Sequence, residues 1–352
     1  HALYDSERGV TKELKSQTAG AESTENRISS FNSNGFTLTG NTETNYSGDE
    51  YVSWTFRKAP KFFDIVTYTG NGASNRQINH DLGATPALII VKVTSATGDW
   101  NTIARISDTS YSFGLELNST NVQYAATNPS STVSSTWFVP EYFTGSVSEM
   151  NAAGTTYVAY LFADNTAEDV DDQMIKCGSF TTNSSGGATV NLGWQPQFLI
   201  FKIASGTADG WYMFDTMRDF TASTSSALFA NTSAAEASSN GNTKVTSNGF
   251  DISNQQNSVT YIYMAVRAPM MAEPDAATDV FAVDTRGSTG DGKEPGLRSG
   301  FPVDMALRRV GFSGSSAGYL DSRMFQGQQL ETSSTQSEQV NTKTTFDFNN
   351  GY

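Results

Sequence analysis

The chain holds one cysteine, Cys177, and two histidines, His1 and His80, in 352 residues. A lone cysteine excludes an internal disulfide and a thiolate metal cluster. It stands in the strand-like run Met174-Ile175-Lys176-Cys177-Gly178, where a buried, inert thiol is expected. No apolar run reaches the ~18 residues of a membrane-spanning helix, so membrane insertion is not expected. Basic residues are scarce, 22 Lys and Arg against 36 Asp and Glu, a net charge of −14. Neutralising a phosphate backbone needs a basic surface, which argues against nucleic acid as a partner. Charge as a whole is sparse at 16%. Ser, Thr, Asn and Gly take its place, and Asn, Gly and Ser favour turns. Aromatic residues are plentiful at 12%, enough to build cores and to exclude a disordered polar tract. Thr, Val, Tyr and Phe favour strands. The composition reads as all-β.

Four markers recur. Tyr51-Val52-Ser53-Trp54-Thr55-Phe56 returns as Tyr157-Val158-Ala159-Tyr160-Leu161-Phe162 and as Tyr261-Ile262-Tyr263-Met264-Ala265-Val266, 106 and 104 residues apart. Pro86, Pro196 and Pro302 each open a short run, apolar in the first two, with Lys92, Lys202 or Arg308 six residues on. Asp5-Ser6-Glu7-Arg8, Asp215-Thr216-Met217-Arg218 and Asp321-Ser322-Arg323 form a third marker. Its second-unit copy is missing, because Ala104 follows Trp100 where Asp215 follows Trp211. Asn34-Gly35-Phe36, Asn248-Gly249-Phe250 and Asn350-Gly351-Tyr352 carry a hairpin-turn signal. The fold expected is a tandem array of β-sandwich, jelly-roll-like repeats of about 106 residues. Residues 1–58 are the back of repeat one, 61–164 repeat two, 173–268 repeat three, and 279–352 an incomplete repeat four. Short linkers predict a semi-rigid string of units. The array is cut mid-unit at both ends. That predicts a polypeptide continuing on both sides or, as the alternative, strands donated by a neighbouring subunit.

The runs Phe62 to Gly72, His80-Asp81-Leu82-Gly83, Pro86 to Lys92, Tyr212 to Arg218 and Ser247-Asn248-Gly249-Phe250 resemble an uncharacterised repeat. That repeat is common in large tail-fibre-like and other virion proteins of marine and cyanobacterial phages. The resemblance implies an extracellular virion protein, a fibre or receptor-facing appendage, whose partners are other copies of itself or other virion proteins. It carries over no catalytic residue.

Candidate chemistry is thin. His80 lies in a turn and has no Gly-x-Ser-x-Gly elbow to serve, so it reads as a turn residue, with ligand contact as the functional alternative. Trp100 and Trp211 recur and are expected in cores. Trp137 and Trp194 have no counterparts and are the binding candidates. Trp194 lies in Gly193-Trp194-Gln195-Pro196, a turn expected to expose it. Glu168 to Asp172, with Asp284, Asp291 and Glu294, offer oxygen ligands to calcium without the spacing of an EF-hand. No other cofactor is expected. The leading reading is a non-enzymatic structural virion module. The second is a carbohydrate-binding adhesin gripping host surface glycan. The third is a glycan hydrolase, which needs two opposed carboxylates in a cleft.

Overall fold

Strand-forming segments and Gly/Asn turns alternate through nearly all of the computed structural model. It describes residues 2–40, 43–107, 110–123, 125–127, 133–140, 147–164, 173–221, 225–238, 242–268, 276–285, 296–309, 318–323, 328–335, 337–340, 344, 346, 351 and 352. The chain divides into two compact units, 1–269 and 270–352. The architecture is all-β, built from antiparallel sheets in a sandwich-like arrangement.

In the larger unit, the first segment holds two hairpins. β1 (Lys12–Glu13) pairs with β2 (Ser23–Thr24), and β3 (Ile28–Asn32) with β4 (Gly35–Leu38). The second segment runs through β5 (Phe63–Thr69), β6 (Ile78–Asn79), β7 (Pro86–Val93), β8 (Trp100–Ser107), β9 (Ser110–Phe113), β10 (Leu115–Glu116), β11 (Ala125–Thr127) and β12 (Trp137–Phe138). It closes with the helical turn α1 (Val147–Met150) and β13 (Thr156–Ala163). The third runs through β14 (Ile175–Thr181), β15 (Ala188–Asn191), β16 (Pro196–Ile203), β17 (Trp211–Asp215), β18 (Ser226–Phe229) and β19 (Ala237–Ser238). It ends with β20 (Thr243–Thr246), β21 (Gly249–Ile252) and β22 (Thr260–Arg267).

The main sheets of the second and third segments have the same strand order. One reads β5-β13-β7-β8-β9-β11 and the other β14-β22-β16-β17-β18-β19. The registers agree as well. Tyr157 faces Val93 and Tyr261 faces Ile203, each seven residues after the proline. Lys92 faces Trp100 and Lys202 faces Trp211. Pro86 and Pro196 both sit at a bulge where the ladder is interrupted, so the missing N–H costs little there. Small second sheets, β6-β12 and β15-β21-β20, complete the two segments.

The apolar runs after the prolines do not alternate, because both faces of these strands are buried. In β16, Phe198 and Ile200 point into one core, while Leu199, Phe201 and Ile203 point into another with Val245, Phe250 and Ile252 of the small sheet. The first of these cores is shared. It unites Leu14 of the first segment, Ile90, Trp100, Leu115 and Tyr160 of the second, and Cys177, Trp211 and Met264 of the third. The expected string of separate units is therefore not what residues 1–268 form. Three segments pack around a common core, since each main sheet has a second apolar face that a separate sandwich would leave wet.

Among the described residues the smaller unit forms a sheet of β23 (Met305–Arg309), β24 (Gly318–Ser322), β25 (Gln328–Glu331) and β26 (Gln339–Val340), in that order. Its core is small: Val303, Ala306 and Phe346, with Phe301 and Tyr352 packed against them.

Candidate functional site

The Asp-x-x-Arg marker makes one compact motif twice. Asp5 Oδ1 accepts from the Arg8 backbone N–H at 2.9 Å, and its Oδ2 accepts from Arg8 Nε at 2.6 Å. Asp215 repeats both bonds with Arg218, at 3.1 and 2.8 Å. Each arginine reaches a second acid, Glu22 at 2.9 Å and Glu236 at 2.6 Å. Each aspartate also accepts from a closing-strand aromatic of another segment. Tyr160 donates to Asp5 at 2.7 Å, and Trp54 donates to Asp215 at 3.0 Å. Asp321 departs from this pattern. Its partner is Arg308, at 2.7 Å, while Arg323 binds Asp304 at 3.0 Å. Tyr319 faces Arg308 as Trp211 faces Lys202, which puts Arg323, not Asp321, at the place of Asp215.

The strand-ending lysines form a second kind of fastening. Lys92 Nζ donates to Ala19 O at 3.1 Å and Gly98 O at 2.8 Å. Lys202 Nζ donates to Thr120 O at 2.7 Å and to Asp209 O. Burial pulls both ammonium groups down to about 8. The facing tryptophans reach the same neighbours. Trp100 Nε1 donates to Lys15 O and Thr18 O, both at 3.1 Å, and Trp211 Nε1 donates to Glu116 O at 2.8 Å. The second segment thus fastens onto the first and the third onto the second. Ser16 Oγ, donating to Ala230 O at 2.8 Å, and Trp54 tie the first to the third and close the ring.

The residues singled out as ligand-binding do not converge. His80 is buried in the turn after β6. Its Nε2 lies 3.2 Å from Ser134 O, and its Nδ1 accepts from the Leu82 N–H at 3.3 Å. Burial lowers its pKa, against the Ser134 carbonyl and the Asp64 and Asp81 charges, so a neutral ring carrying its proton on Nε2 fits both bonds. Both nitrogens are thus engaged in holding the turn. Trp137 is half-buried on β12, facing Asn79 of β6. Trp194 is not exposed as its turn position suggested. It is buried in the core of the third segment, with Nε1 donating to Gln173 Oε1 at 3.2 Å. The N–H groups of Leu192 and Gly193 both bind Asn248 O, at 2.7 and 3.0 Å, which holds this turn over the small sheet and leaves the indole inside. The acidic run 168–172, Asp291 and Glu294 lie outside the described residues. Asp284 is engaged locally, accepting from Thr285 N at 2.8 Å and Arg298 N at 2.7 Å. Among the described residues no group of three acidic, His or Cys side chains is placed to hold a metal.

A cavity that no motif announced lies in the third segment. It has a volume of about 380 Å³ and is lined by Asp209, Tyr212, Asn242, Asn254, Gln255 and Gln256, among others. Asp209 accepts from the Tyr212 hydroxyl at 3.0 and 3.1 Å. Burial, then the Asp209 charge, push that hydroxyl's pKa up. Asn254 Nδ2 donates to Asn242 Oδ1 at 2.9 Å, and Gln256 holds Thr207 through both ends of its amide, at 2.7 and 2.8 Å. Amides, one carboxylate and an aromatic edge suit a neutral polyhydroxylated ligand. The run Asn254-Gln255-Gln256 was the available signal, but in a chain so rich in polar turn residues it does not stand out.

Residues 1–269 match the family described as Domain of unknown function (DUF7483). The chain belongs to this family. The matched region coincides with the larger compact unit, so DUF7483 takes in all three segments as one body. No curated protein and no solved structure matches the chain. Within DUF7483 the fastenings described above join the segments into a ring, and the amide-lined cavity opens on the third of them.

Proposed function

We propose that this chain is a structural protein of a phage virion, a tail-fibre or appendage segment that spaces or presents a host-receptor-binding region. One observation carries the reading. The buried ionisable side chains Asp5, Lys92, Lys202 and Asp215 are each engaged in fastening one segment to the next. A catalytic site keeps such groups turned toward a substrate. Here they hold a ring together, which is the use a building element makes of them. The acidic surface favours solubility of a body present in many copies outside the cell. Immunogold labelling of purified particles with antibody to this chain tests the proposal. Gold on a tail or appendage is expected. Unlabelled particles, with the chain absent from their protein mass spectrum, would sink it.

The cavity beside Asp209 favours a second reading, in which the DUF7483 body itself grips host glycan. Asn and Gln amides with a carboxylate match arrays of sugar hydroxyls, and Tyr212 offers an edge for packing. Saturation-transfer NMR with host envelope oligosaccharides is the test. Signal lost in Asp209→Asn and Asn254→Ala supports it, whereas signal unchanged in both removes it.

A further inference from the structure

The cavity of the third segment is framed by bonds already made in the free protein. The loop after β21 is fastened on two sides. Asn254 Nδ2 and the Ser253 N–H hold Asn242, at 2.9 and 2.7 Å, and Gln256 clasps Thr207 through both ends of its amide. Close by in sequence, Asp209 accepts from the Gly210 N–H at 2.7 Å and from the Tyr212 hydroxyl. Buried Phe214 and Thr243 line the cavity as well. A frame tied in this way is set before a ligand arrives, which lowers the ordering cost of binding.

Polar groups remain open inside the frame. Among the described residues, neither the Gln255 carboxamide nor the hydroxyl of buried Thr243 has a hydrogen-bond partner, and both residues line the cavity. Tyr261 stands beside them. Its counterparts Tyr51 and Tyr157 accept from the N–H five residues earlier, Tyr46 at 3.0 Å and Ala152 at 3.1 Å. Burial raises the Tyr261 pKa, the nearby Gln256 N–H opposes this and the Asp209 charge adds to it, yet no hydrogen bond closes on the buried hydroxyl. Buried polar groups without partners are costly, and a ligand that bonds them relieves the cost. Among the described residues lining the cavity, Asp209 carries the one charge. The Lys202 ammonium behind it is buried and engaged with Thr120 O and Asp209 O. A sugar carboxylate, sulfate or phosphate would meet Asp209 with no cation to offset it, so anionic ligands are disfavoured.

The set occurs in one segment. At the place of Tyr212 stand Ala2, Asn101 and Leu320, counted from Asp5, Trp100 and Tyr319. At the places of Gln255 and Gln256 stand Asn45 and Tyr46 in the first segment, and Asn151 and Ala152 in the second. Asn151 is buried and its amide is fully engaged. Nδ2 donates to Asn71 Oδ1 at 2.9 Å and Ala73 O at 2.8 Å, and Oδ1 accepts from the Asn71 N–H and from Arg76, both at 3.1 Å.

We propose that this cavity takes the uncharged terminal hexose of a glycan, end-on, at one site per chain. The inference deepens the glycan reading and rests on it. A volume of about 380 Å³ lies near the low end of the ~300–1,000 Å³ of small-molecule sites, which suits a chain end better than a run of sugar rings. Ring hydroxyls both donate and accept, matching Gln255 and Thr243, while Asp209 accepts. A terminal residue also keeps a hydroxyl that an internal one loses to its linkage.

The test uses the full chain. Isothermal titration is run with the methyl glycosides of glucose, galactose and mannose and with their two- and six-residue homologues. At least one series is expected to bind at one site per chain, with an affinity that does not climb with length. Glucuronic and galacturonic acids should not compete. Gln255→Ala should weaken binding about tenfold with an unchanged melting temperature, because that side chain makes no bond in the free protein. Thr243→Val, of the same shape, should weaken it in the same direction. No binding in any series, affinity rising with chain length, more than one site per chain, competition by the acids, or wild-type affinity in Gln255→Ala each overturns the inference. The glycan reading is judged apart, by the saturation-transfer signal of host envelope oligosaccharides and its loss in Asp209→Asn. With that signal present the reading survives the failure of the inference, and with it absent both fall.

Discussion

Trp54 donates its indole N–H to Asp215 Oδ2 at 3.0 Å, joining side chains 161 residues apart. The Arg218 guanidinium lies 5.5 Å from the same indole ring, so one tryptophan caps both members of the ion pair. Tyr160 stands to Asp5 and Arg8 in the corresponding place, with bonds of 2.7 Å to the acid and 3.4 Å to the guanidinium. The marker is therefore a joint between segments as well as a local turn.

Removing the acid should be costly. Asp215→Ala leaves the largely buried Arg218 guanidinium with only the exposed Glu236 and takes the acceptor from the Trp54 indole, and breaking a buried pair costs about 3–5 kcal/mol. Trp54→Phe keeps the ring and loses one hydrogen bond to a charged group, about 1.5–3 kcal/mol. Urea denaturation of the two variants should rank them in that order. A neutral Asp215→Ala would mean that the joint bears no load.

The two unmatched tryptophans should now separate. Trp194→Ala empties a core position and is expected to cost about 3–5 kcal/mol. Trp137→Ala, at a half-buried edge, should cost about 1 kcal/mol, near the middle of the range for point substitutions. Thermal melts of both distinguish a core residue from a peripheral one.

The buried lysines make stability depend on pH in a definite direction. Lys92 and Lys202 titrate near 8 when folded and near ~10.4 when unfolded. Between those values the unfolded chain holds more protons, so stability rises with pH and the gain is complete above the unfolded value. Above about pH 10 the buried tyrosines oppose this. Burial raises the Tyr68 and Tyr160 hydroxyls well above their ordinary value, so the unfolded chain loses protons first and stability falls. Chemical denaturation from pH 7 to 11 should show a maximum between about 8 and 10. Lys92→Met/Lys202→Met should flatten the rising limb, and an unchanged limb would contradict the assignment.

The hairpin glycines should differ in their tolerance of alanine. At Gly249 a Cβ would meet Val190 O at 2.0 Å, whereas at Gly35 nothing lies within 4 Å. Their φ values are close, 158° and 151°, so backbone preference is nearly common to both. Gly249→Ala should cost about 1–3 kcal/mol more than Gly35→Ala, because the neighbouring strand β15 must shift. Equal melting points for the two variants would count against this packing.

What the sequence determined by itself was local and periodic. Strand-forming aromatics, Asn-Gly turns and the proline-to-lysine spacing marked the strands, and the order of the markers is reflected in two sheets of identical order. The non-alternating runs after Pro86 and Pro196 already required two apolar faces, but not what would cover them. Only tertiary structure decided that three segments close on a common core, because covering the second face depends on which sheet arrives there. The same holds for the site residues. Trp194 is buried because Asn248, more than fifty residues on, pins its turn. His80 is engaged because Ser134 lies across from it. The Asp209 cavity gathers side chains from β17, the start of β20 and the loop after β21, which no periodicity relates. Local propensity writes strands and turns into a sequence, whereas burial, partners and cavities are set by residues far along the chain.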